Sequence, residues 1–194
     1  MAKRIVLIQG HPDPAGGHLC NALAQAYARG AAEGGHKVEQ FDVAALAFPL
    51  LRTKQDFEKG APPVALLPCQ QAIQGAEHLV MIYPLWMGGM PALLKAFCEQ
   101  VFRPGFAFQY NDRGFPKKHM KGKSARIVVT MGMPALIYRW YFGAHGLKNL
   151  KRNILGFCGF GPIRENLFGT AEGVSDATRQ AWLTKMYALG KAAA

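Results

Sequence analysis

Residues 83–97 read YPLWMGGMPALLKAF, in which an apolar strand pattern breaks into a turn rich in Pro and Gly and continues as a helical pattern. Pro91 suits the first turn of a helix, where its missing N–H costs nothing. The residues that recur at helical spacing, and that we expect on one buried side, are Ala92, Leu93, Ala96, Phe97 and Val101. Trp86 and Met87 therefore lie on a loop beyond the carboxyl end of a strand, where open α/β sheets bind ligands.

The rest of the chain predicts further strands that alternate with helices. The predicted strands are Ile5–Ile8, Val38–Asp42, Leu79–Tyr83, Ile127–Thr130 and Ile154–Phe157. Several are nearly continuous apolar runs, which is typical of parallel strands covered on both faces. We therefore predict an α/β fold with a doubly wound, parallel, five-stranded sheet in three α/β/α layers, as one domain over residues 1–194.

The sequence also predicts where helices end and where the chain is irregular. Leu19–Ala32 is amphipathic and is followed by Gly34 and Gly35, and Ser175 or Asp176 can cap a last helix. The segment 159–174 contains too many breakers for a helix, so we expect an irregular surface segment near a ligand or a partner subunit. The run from Asp112 to Gly114, followed by Pro116, predicts a turn that opens an insertion before the fourth strand.

Composition limits the class of protein. A chain of 194 residues that is 50% hydrophobic suits one compact domain. No apolar run reaches the ~20 residues of a membrane span, and the first residues lack a signal-like pattern, so we expect a cytoplasmic protein. Cys20, Cys69, Cys98 and Cys158 have no paired metal spacing and lie in apolar contexts, which predicts reduced thiols without a disulfide or zinc.

The formal net charge of +11 leaves several partners open. Its one dense cluster is Lys117, Lys118, Lys121 and Lys123, around His119 in a polar connection. A solvated loop face is the favoured interpretation. Peripheral contact with an anionic membrane and attraction of a phosphorylated cofactor are the alternatives. Nucleic acid is disfavoured, since the cluster lacks interleaved aromatic residues and any reading motif.

The loop after the first strand, residues 9–18, brings backbone amides and the start of a helix together, as an anion site requires. It has no G-x-G-x-x-G, and Gly122-Lys123-Ser124 is not a Walker A loop because position 117 is Lys instead of Gly. The loop therefore predicts a site for the phosphate of some other cofactor, with a simple Pro/Gly-rich turn as the alternative. His11 is a candidate donor to that phosphate.

These motifs together resemble the NAD(P)H quinone oxidoreductases of the flavodoxin-like superfamily, the DT-diaphorase group and its bacterial relatives. The resemblance covers nearly the whole chain. It rests on Gln9 to Pro14, on Tyr83 to Trp86 with Pro91 to Lys95, and on Thr130 to Gly132, in matching order after the first, third and fourth strands. It implies a noncovalent flavin and a homodimer with its sites at the subunit interface.

The resemblance assigns roles to residues of this chain. The phosphate role falls on His11, Gly16, Gly17 and His18. The flavin ring role falls on Pro84, Leu85, Trp86, Met87, Thr130, Met131 and Gly132. Tyr138 and His145 correspond to the family's catalytic Tyr and His, with Trp140 or Tyr141 as alternatives to Tyr138 because the spacing is one residue longer. Arg179 stands where relatives hold the distal half of FAD, so FAD is expected, with FMN as the alternative.

The resemblance also implies a reaction. We expect two-electron, ping-pong hydride transfer from NADPH or NADH through the flavin to a quinone, because donor and acceptor must use one cavity in turn. A phenol or an imidazole N–H can stabilise charge that develops on the flavin during this transfer. The alternatives are reduction of azo or nitro compounds and a regulatory flavin-binding subunit of a potassium efflux system.

Overall fold

A five-stranded parallel sheet forms the centre of the computed structural model, which describes residues 1–111 and 113–194. The described residues form seven strands, five of which make up this sheet. They are β1 (Arg4–Gln9), β2 (Lys37–Asp42), β3 (His78–Pro84), β4 (Phe108–Tyr110), β5 (Pro116–Lys118), β6 (Ser124–Thr130) and β7 (Ile163–Phe168). The sheet order is β2-β1-β3-β6-β7, while β4 and β5 form a separate antiparallel pair. The chain winds outward from β1 in one direction and from β3 in the other, so the topological switch point lies between the carboxyl ends of β1 and β3. The predicted fold class is confirmed.

Helices cover both faces of the sheet. They are α1 (Leu19–Glu33), α2 (Lys54–Lys59), α3 (Leu67–Gly75), α4 (Ala92–Val101), α5 (Ala135–Trp140), α6 (His145–Lys148), α7 (Gly156–Cys158) and α8 (Asp176–Lys191). Short 3-10 turns span Val43–Ala45 and Val64–Leu66, and a π-helical segment, Asn149–Leu155, joins α6 to α7. One apolar core lies between the sheet and α1 with α8, and a larger one lies on the opposite face. No helix of the described residues has the length and hydropathy to cross a membrane.

The outer helices α1 and α8 pack with their backbones in contact. A Cβ atom added to Gly30 would lie 2.0 Å from the carbonyl oxygen of Tyr187, and one added to Gly190 would lie 2.0 Å from that of Tyr27. Ser175 caps α8 by accepting a hydrogen bond from the Thr178 amide at 3.2 Å, which confirms the predicted start of this helix.

The fifth strand is not the predicted one. Ile154–Phe157 is helical, because its apolar residues continue from Leu147 and Leu150 at helical spacing and bury one side of the segment. The strand β7 instead lies inside the segment 159–174, which we expected to be irregular. As an edge strand β7 is only half-buried and carries an exposed Arg164, so its apolar pattern is weak.

Two smaller predictions also need correction or restriction. On α4, Ala92 is exposed, whereas Leu94 and Cys98 are buried beside Phe97 and Val101. The predicted insertion before the fourth strand of the main sheet contains the β4–β5 pair. Asp112, where its turn was predicted to begin, lies outside the described residues.

Candidate functional site

The loop between β1 and α1 is folded by its own side chains. Nδ1 of His11 accepts the amide of Asp13 at 3.2 Å, and Asp13 accepts the amide of Ala15 at 2.9 Å. The other carboxylate oxygen of Asp13 lies 2.8 Å from Nε2 of His18. The rings of His11 and His18 stack with their centroids 3.7 Å apart. Burial, followed by the proximity of His18, lowers the pKa of His11, so His11 is mainly uncharged near neutral pH.

The same loop presents free backbone donors. Gly16 and Gly17 adopt positive φ angles of +72° and +76°, and a Cβ added to either would meet nothing within 4 Å. Within the described chain, no protein group accepts a hydrogen bond from the amides of Gly16, Gly17, Leu19 or Cys20. Two turn amides and the start of α1 thus form a surface for an anion.

The loop after β3 is a tight hairpin turn over residues 86–89. Trp86 and Gly89 exchange two backbone hydrogen bonds, both 2.9 Å long. The two central residues, Met87 and Gly88, have φ angles of 47° and 78°, which is the pattern of a type I′ turn. The Trp86 side chain remains 52% exposed. The turn therefore holds an indole ring at the sheet edge without burying it.

Contacts join this turn to the β1–α1 loop and to the loop that follows β6. The Leu85 amide donates to the Thr130 carbonyl at 2.7 Å, which ties the ends of β3 and β6 together. The hydroxyl of Thr130 lies 3.3 Å from Sγ of Cys20 on α1. The His11 ring meets the Trp86 ring edge-on, with centroids 6.2 Å apart. The three loops thus border one crevice at the carboxyl edge of the sheet.

Most of the predicted cofactor residues lie at this crevice. They are His11, Gly16, Gly17, His18, Pro84, Leu85, Trp86, Met87, Thr130, Met131 and Gly132. Arg179 differs, since it is exposed on the first turn of α8 and makes no side-chain hydrogen bond or ion pair within the described residues. A role for Arg179 stays a prediction.

The two predicted catalytic residues flank the hairpin turn from α5 and α6. Tyr138 is buried, and its hydroxyl donates to the Gly88 carbonyl at 3.2 Å and accepts the Leu147 amide at 3.1 Å. Burial raises the pKa of this phenol. Tyr138 therefore fastens the turn to α6. His145 is exposed and reaches the cavity next to the turn.

That cavity has a volume of about 580 Å³, within the usual range for small-molecule sites. Its walls combine apolar and polar groups. They are Met87, Gly88, Gly89, Met90, Lys95, Tyr138, Phe142, His145, Gly146 and Asn149. Lys95 is the one permanently charged side chain of this lining, and its ammonium pairs with Glu99. A flat aromatic molecule with hydrogen-bond acceptors suits such walls.

Two residues to which the sequence assigns no role also shape the site. A Cβ on Gly146 would lie 2.2 Å from the Gly88 carbonyl oxygen and 2.6 Å from the Gly89 Cα, so α6 touches the turn through its backbone. Gln9 is fully buried below the first loop; its Oε1 accepts the His11 amide, while its Nε2 has no partner in the described chain. Neither role has a local sequence signal, although Gly146 follows directly on the predicted His145.

A doubly wound sheet with a donor-rich crevice at its switch point defines the class of α/β proteins that bind a cofactor at the strand ends. A family model described as a flavodoxin-like fold matches residues 3–189, and the chain belongs to this family. It is 26% identical over 130 residues to an uncharacterized NAD(P)H oxidoreductase of Haemophilus influenzae, a match that covers 66% of this chain and 64% of that protein.

Two further comparisons agree with the family. An FMN-dependent NADH:quinone oxidoreductase of Jannaschia sp. is 42% identical over 60 residues, which are 31% of each protein. Each of these two matches thus spans less than two thirds of the curated relative's own length. A crystal structure of a Streptococcus mutans UA159 protein is 27% identical, with a TM-score of 0.82, and the alignment covers 97% of this chain and 98% of that one.

Proposed function

We propose that the chain is a flavin-dependent NAD(P)H:quinone oxidoreductase. The observation that carries the proposal is the crevice bordered by the three loops, which offers many backbone donors and an exposed indole, while its Asp13 carboxylate is already engaged by the Ala15 amide and by His18. The name of the Jannaschia relative supports flavin-dependent quinone reduction, and that of the Haemophilus relative supports NAD(P)H as the electron donor.

The residues present fit a flavin nucleotide. Its phosphate needs donors, and the free amides of residues 16, 17, 19 and 20 provide them without a competing side chain. Its pyrimidine ring carries carbonyl acceptors, and the amides of Met87, Gly88 and Gly132 have no protein acceptor within the described residues. The free Nε2 of buried Gln9 is a further donor beneath the crevice.

We propose FMN as the resident cofactor in preference to the FAD expected from the sequence. The Jannaschia relative is named as FMN-dependent. The described chain offers a built surface for one phosphate, whereas the residue expected to hold the distal half of FAD, Arg179, stands exposed. Chromatography of the chromophore released from the denatured protein distinguishes the two nucleotides.

A flavin held by the free amides of the three loops would supply the hydride-transfer chemistry between NADH or NADPH and a quinone. The protein orients the reactants. Tyr138 keeps the 86–89 turn in register with α6 through its two hydrogen bonds. His145, exposed at the cavity wall, is our proposed proton donor to the quinone oxygen. Donor and acceptor use the 580 Å³ cavity in turn, which gives ping-pong kinetics.

We further propose that two copies assemble as a homodimer around this cavity. The helix α5 and the residues after it expose a run of large apolar side chains, with Trp140 79% and Tyr141 82% exposed. Phe142 of the same run lines the cavity together with Met87. Apolar patches of this kind mark interfaces. Sedimentation equilibrium of the chain and of Trp140→Glu tests the proposal: a dimer that the substitution dissociates supports it, and a monomeric unmodified chain refutes it.

Peripheral membrane contact is a separate proposal that rests on part of the predicted lysine cluster. Lys123 donates to the carbonyls of Gln74 and Ala76, and Lys118 donates to that of Gly156, so these two ammonium groups are engaged. Lys117 and Lys121 are exposed. Cosedimentation with anionic and with neutral vesicles, compared with a Lys117→Glu, Lys121→Glu variant, measures their contribution.

Rapid mixing tests the activity itself. NAD(P)H is mixed with the flavin-loaded protein in the absence of any quinone, and the flavin absorbance near 450 nm is followed. The proposal predicts bleaching without an acceptor and recovery when a quinone is added. Persistent absorbance after addition of both NADH and NADPH refutes it.

A further inference from the structure

A second cavity, lined by five aromatic rings, lies beside α4. Its volume is about 240 Å³. The rings that line it are Phe57, Phe102, Phe108, Tyr110 and Phe157. Phe108 and Phe157 pack edge to face with their centroids 4.8 Å apart. None of the three loops that border the crevice contributes a residue to the lining of this cavity.

The wall of this aromatic cavity is uncharged apart from its rim. Cys98, Asn153, Ile154 and Cys158 are uncharged members of the lining, and burial raises the pKa of each of the two thiols to about 12, so both are neutral. The charged residues of the lining, Lys95 and Glu99, form an ion pair with each other. Burial of apolar surface is therefore the main attraction that the aromatic cavity offers.

The aromatic cavity adjoins the larger cavity beside His145. Lys95 lines both of them. Asn149 lines the larger cavity and Asn153 the aromatic one, and these two residues are one turn apart on the π-helical segment. A ligand that fills the larger cavity can thus extend past Lys95 into the aromatic one.

The volume decides what kind of group fits. Sites for whole small molecules usually measure about 300–1,000 Å³, so 240 Å³ suits one part of a molecule. We propose that the aromatic cavity receives the isoprenoid side chain of a prenylated quinone whose ring occupies the cavity beside His145. This inference rests on the proposed function, and it names the acceptor class as a quinone with a branched apolar tail.

Binding is measured first, by equilibrium dialysis of the flavin-loaded protein without a donor, against benzoquinones that share one ring and carry zero, two or four isoprene units. We expect the first two units, which a cavity of about 240 Å³ can hold together, to raise affinity at least about tenfold, as filling an apolar subsite does. The next two units add less, because the cavity is then full. An equal gain for each pair of units indicates general apolar adsorption and overturns the inference, as does the absence of any gain.

Two variants of opposite effect test the location. Ile154→Trp places a bulky indole in the lining, so the affinity ratio between two units and none falls to about one. Phe157→Ala enlarges the cavity, so the third and fourth units gain affinity. Val64→Trp, at a position 80% exposed and outside the lining, is the matched control and keeps the ratio of the unmodified chain. Circular dichroism verifies that each variant is folded; if one variant unfolds, the other still decides.

The outcomes separate this inference from the proposed function. Stopped-flow oxidation of the reduced protein by the same series repeats the comparison during turnover. If NAD(P)H fails to reduce the flavin, the proposed function is refuted, while the dialysis series still tests the cavity. If turnover occurs, but the affinity for the quinone depends on tail length in neither the unmodified chain nor the variants, only this inference is overturned.

Discussion

Replacement of Gly146 by alanine tests how the hairpin turn is positioned. The added Cβ would lie 2.2 Å from the Gly88 carbonyl oxygen, about 1.2 Å short of ordinary contact at 3.4 Å. Both obstructing groups, this carbonyl and the Gly89 Cα, are backbone atoms, so relief requires the whole turn or α6 to move by about that distance. The turn also carries Trp86 and the free amides of the crevice.

The strain and the displacement have separate consequences. Overpacking of this kind costs about 1–3 kcal/mol, and for a chain of this size 2 kcal/mol lowers Tm by about 4–8 °C. A displacement of about 1 Å in a reacting geometry costs up to about 100-fold in rate. We therefore expect Gly146→Ala to fold, to melt several degrees earlier, and to lose at least about tenfold in kcat/KM for the quinone.

Thermal melting, flavin titration and steady-state kinetics provide the assay. Gly89→Ala is the matched control for stability, because a Cβ at this neighbouring position meets nothing within 4 Å. We expect its free energy of unfolding to stay within about 0.5 kcal/mol of the unmodified chain. If Gly146→Ala melts and turns over like the unmodified protein, the position of the turn does not depend on its contact with α6.

Three further predictions follow from the fold. Tyr138→Phe removes the hydroxyl that links Gly88 to α6, so we expect a loss of about 1 kcal/mol in unfolding free energy and a larger rise in quinone KM than fall in kcat; a fall in kcat alone would assign Tyr138 to the chemistry instead. Gly190→Ala places a Cβ 2.0 Å from the Tyr27 carbonyl, and urea unfolding should report a loss of about 1–3 kcal/mol, whereas an unchanged midpoint would refute close α1–α8 packing. Burial lowers the pKa of His78 from 6.5 to about 4. As the pH drops from 6.5 to 4, the unfolded chain takes up a proton before the folded chain does, so the free energy of unfolding falls by about 3 kcal/mol. His78→Gln should lessen this loss in urea unfolding at the two pH values, and an equal loss in the variant would contradict the prediction.

The sequence predicts the fold well wherever one element carries a strong local pattern. β1 and β3 are continuous apolar runs, and α1 is bounded by glycines, so all three follow from spacing alone. The fifth strand does not, because an edge strand with one free side needs few apolar residues, while the nearby apolar run at Ile154 is short enough to suit a helix or a strand.

The candidate site likewise has a part that the sequence predicts and a part that it does not. Loops after parallel strands must meet at one edge, so the sequence predicts which residues surround the crevice. The hydrogen bond from Tyr138 to Gly88 and the close approach of Gly146 to the turn join residues at least 50 positions apart in the chain. Such contacts have no periodicity, and only the folded chain reveals them.

In the proposed function, the three loops hold a flavin nucleotide largely through backbone amides, with its phosphate at residues 16–20. Fluorescence titration of the purified protein with FMN and with riboflavin, at equal ionic strength, measures this binding. We expect saturable quenching with one FMN per chain and at least about tenfold weaker riboflavin binding, because riboflavin lacks the charge-assisted hydrogen bonds of the phosphate. Absence of FMN binding, or equal affinity for the two compounds, would contradict it.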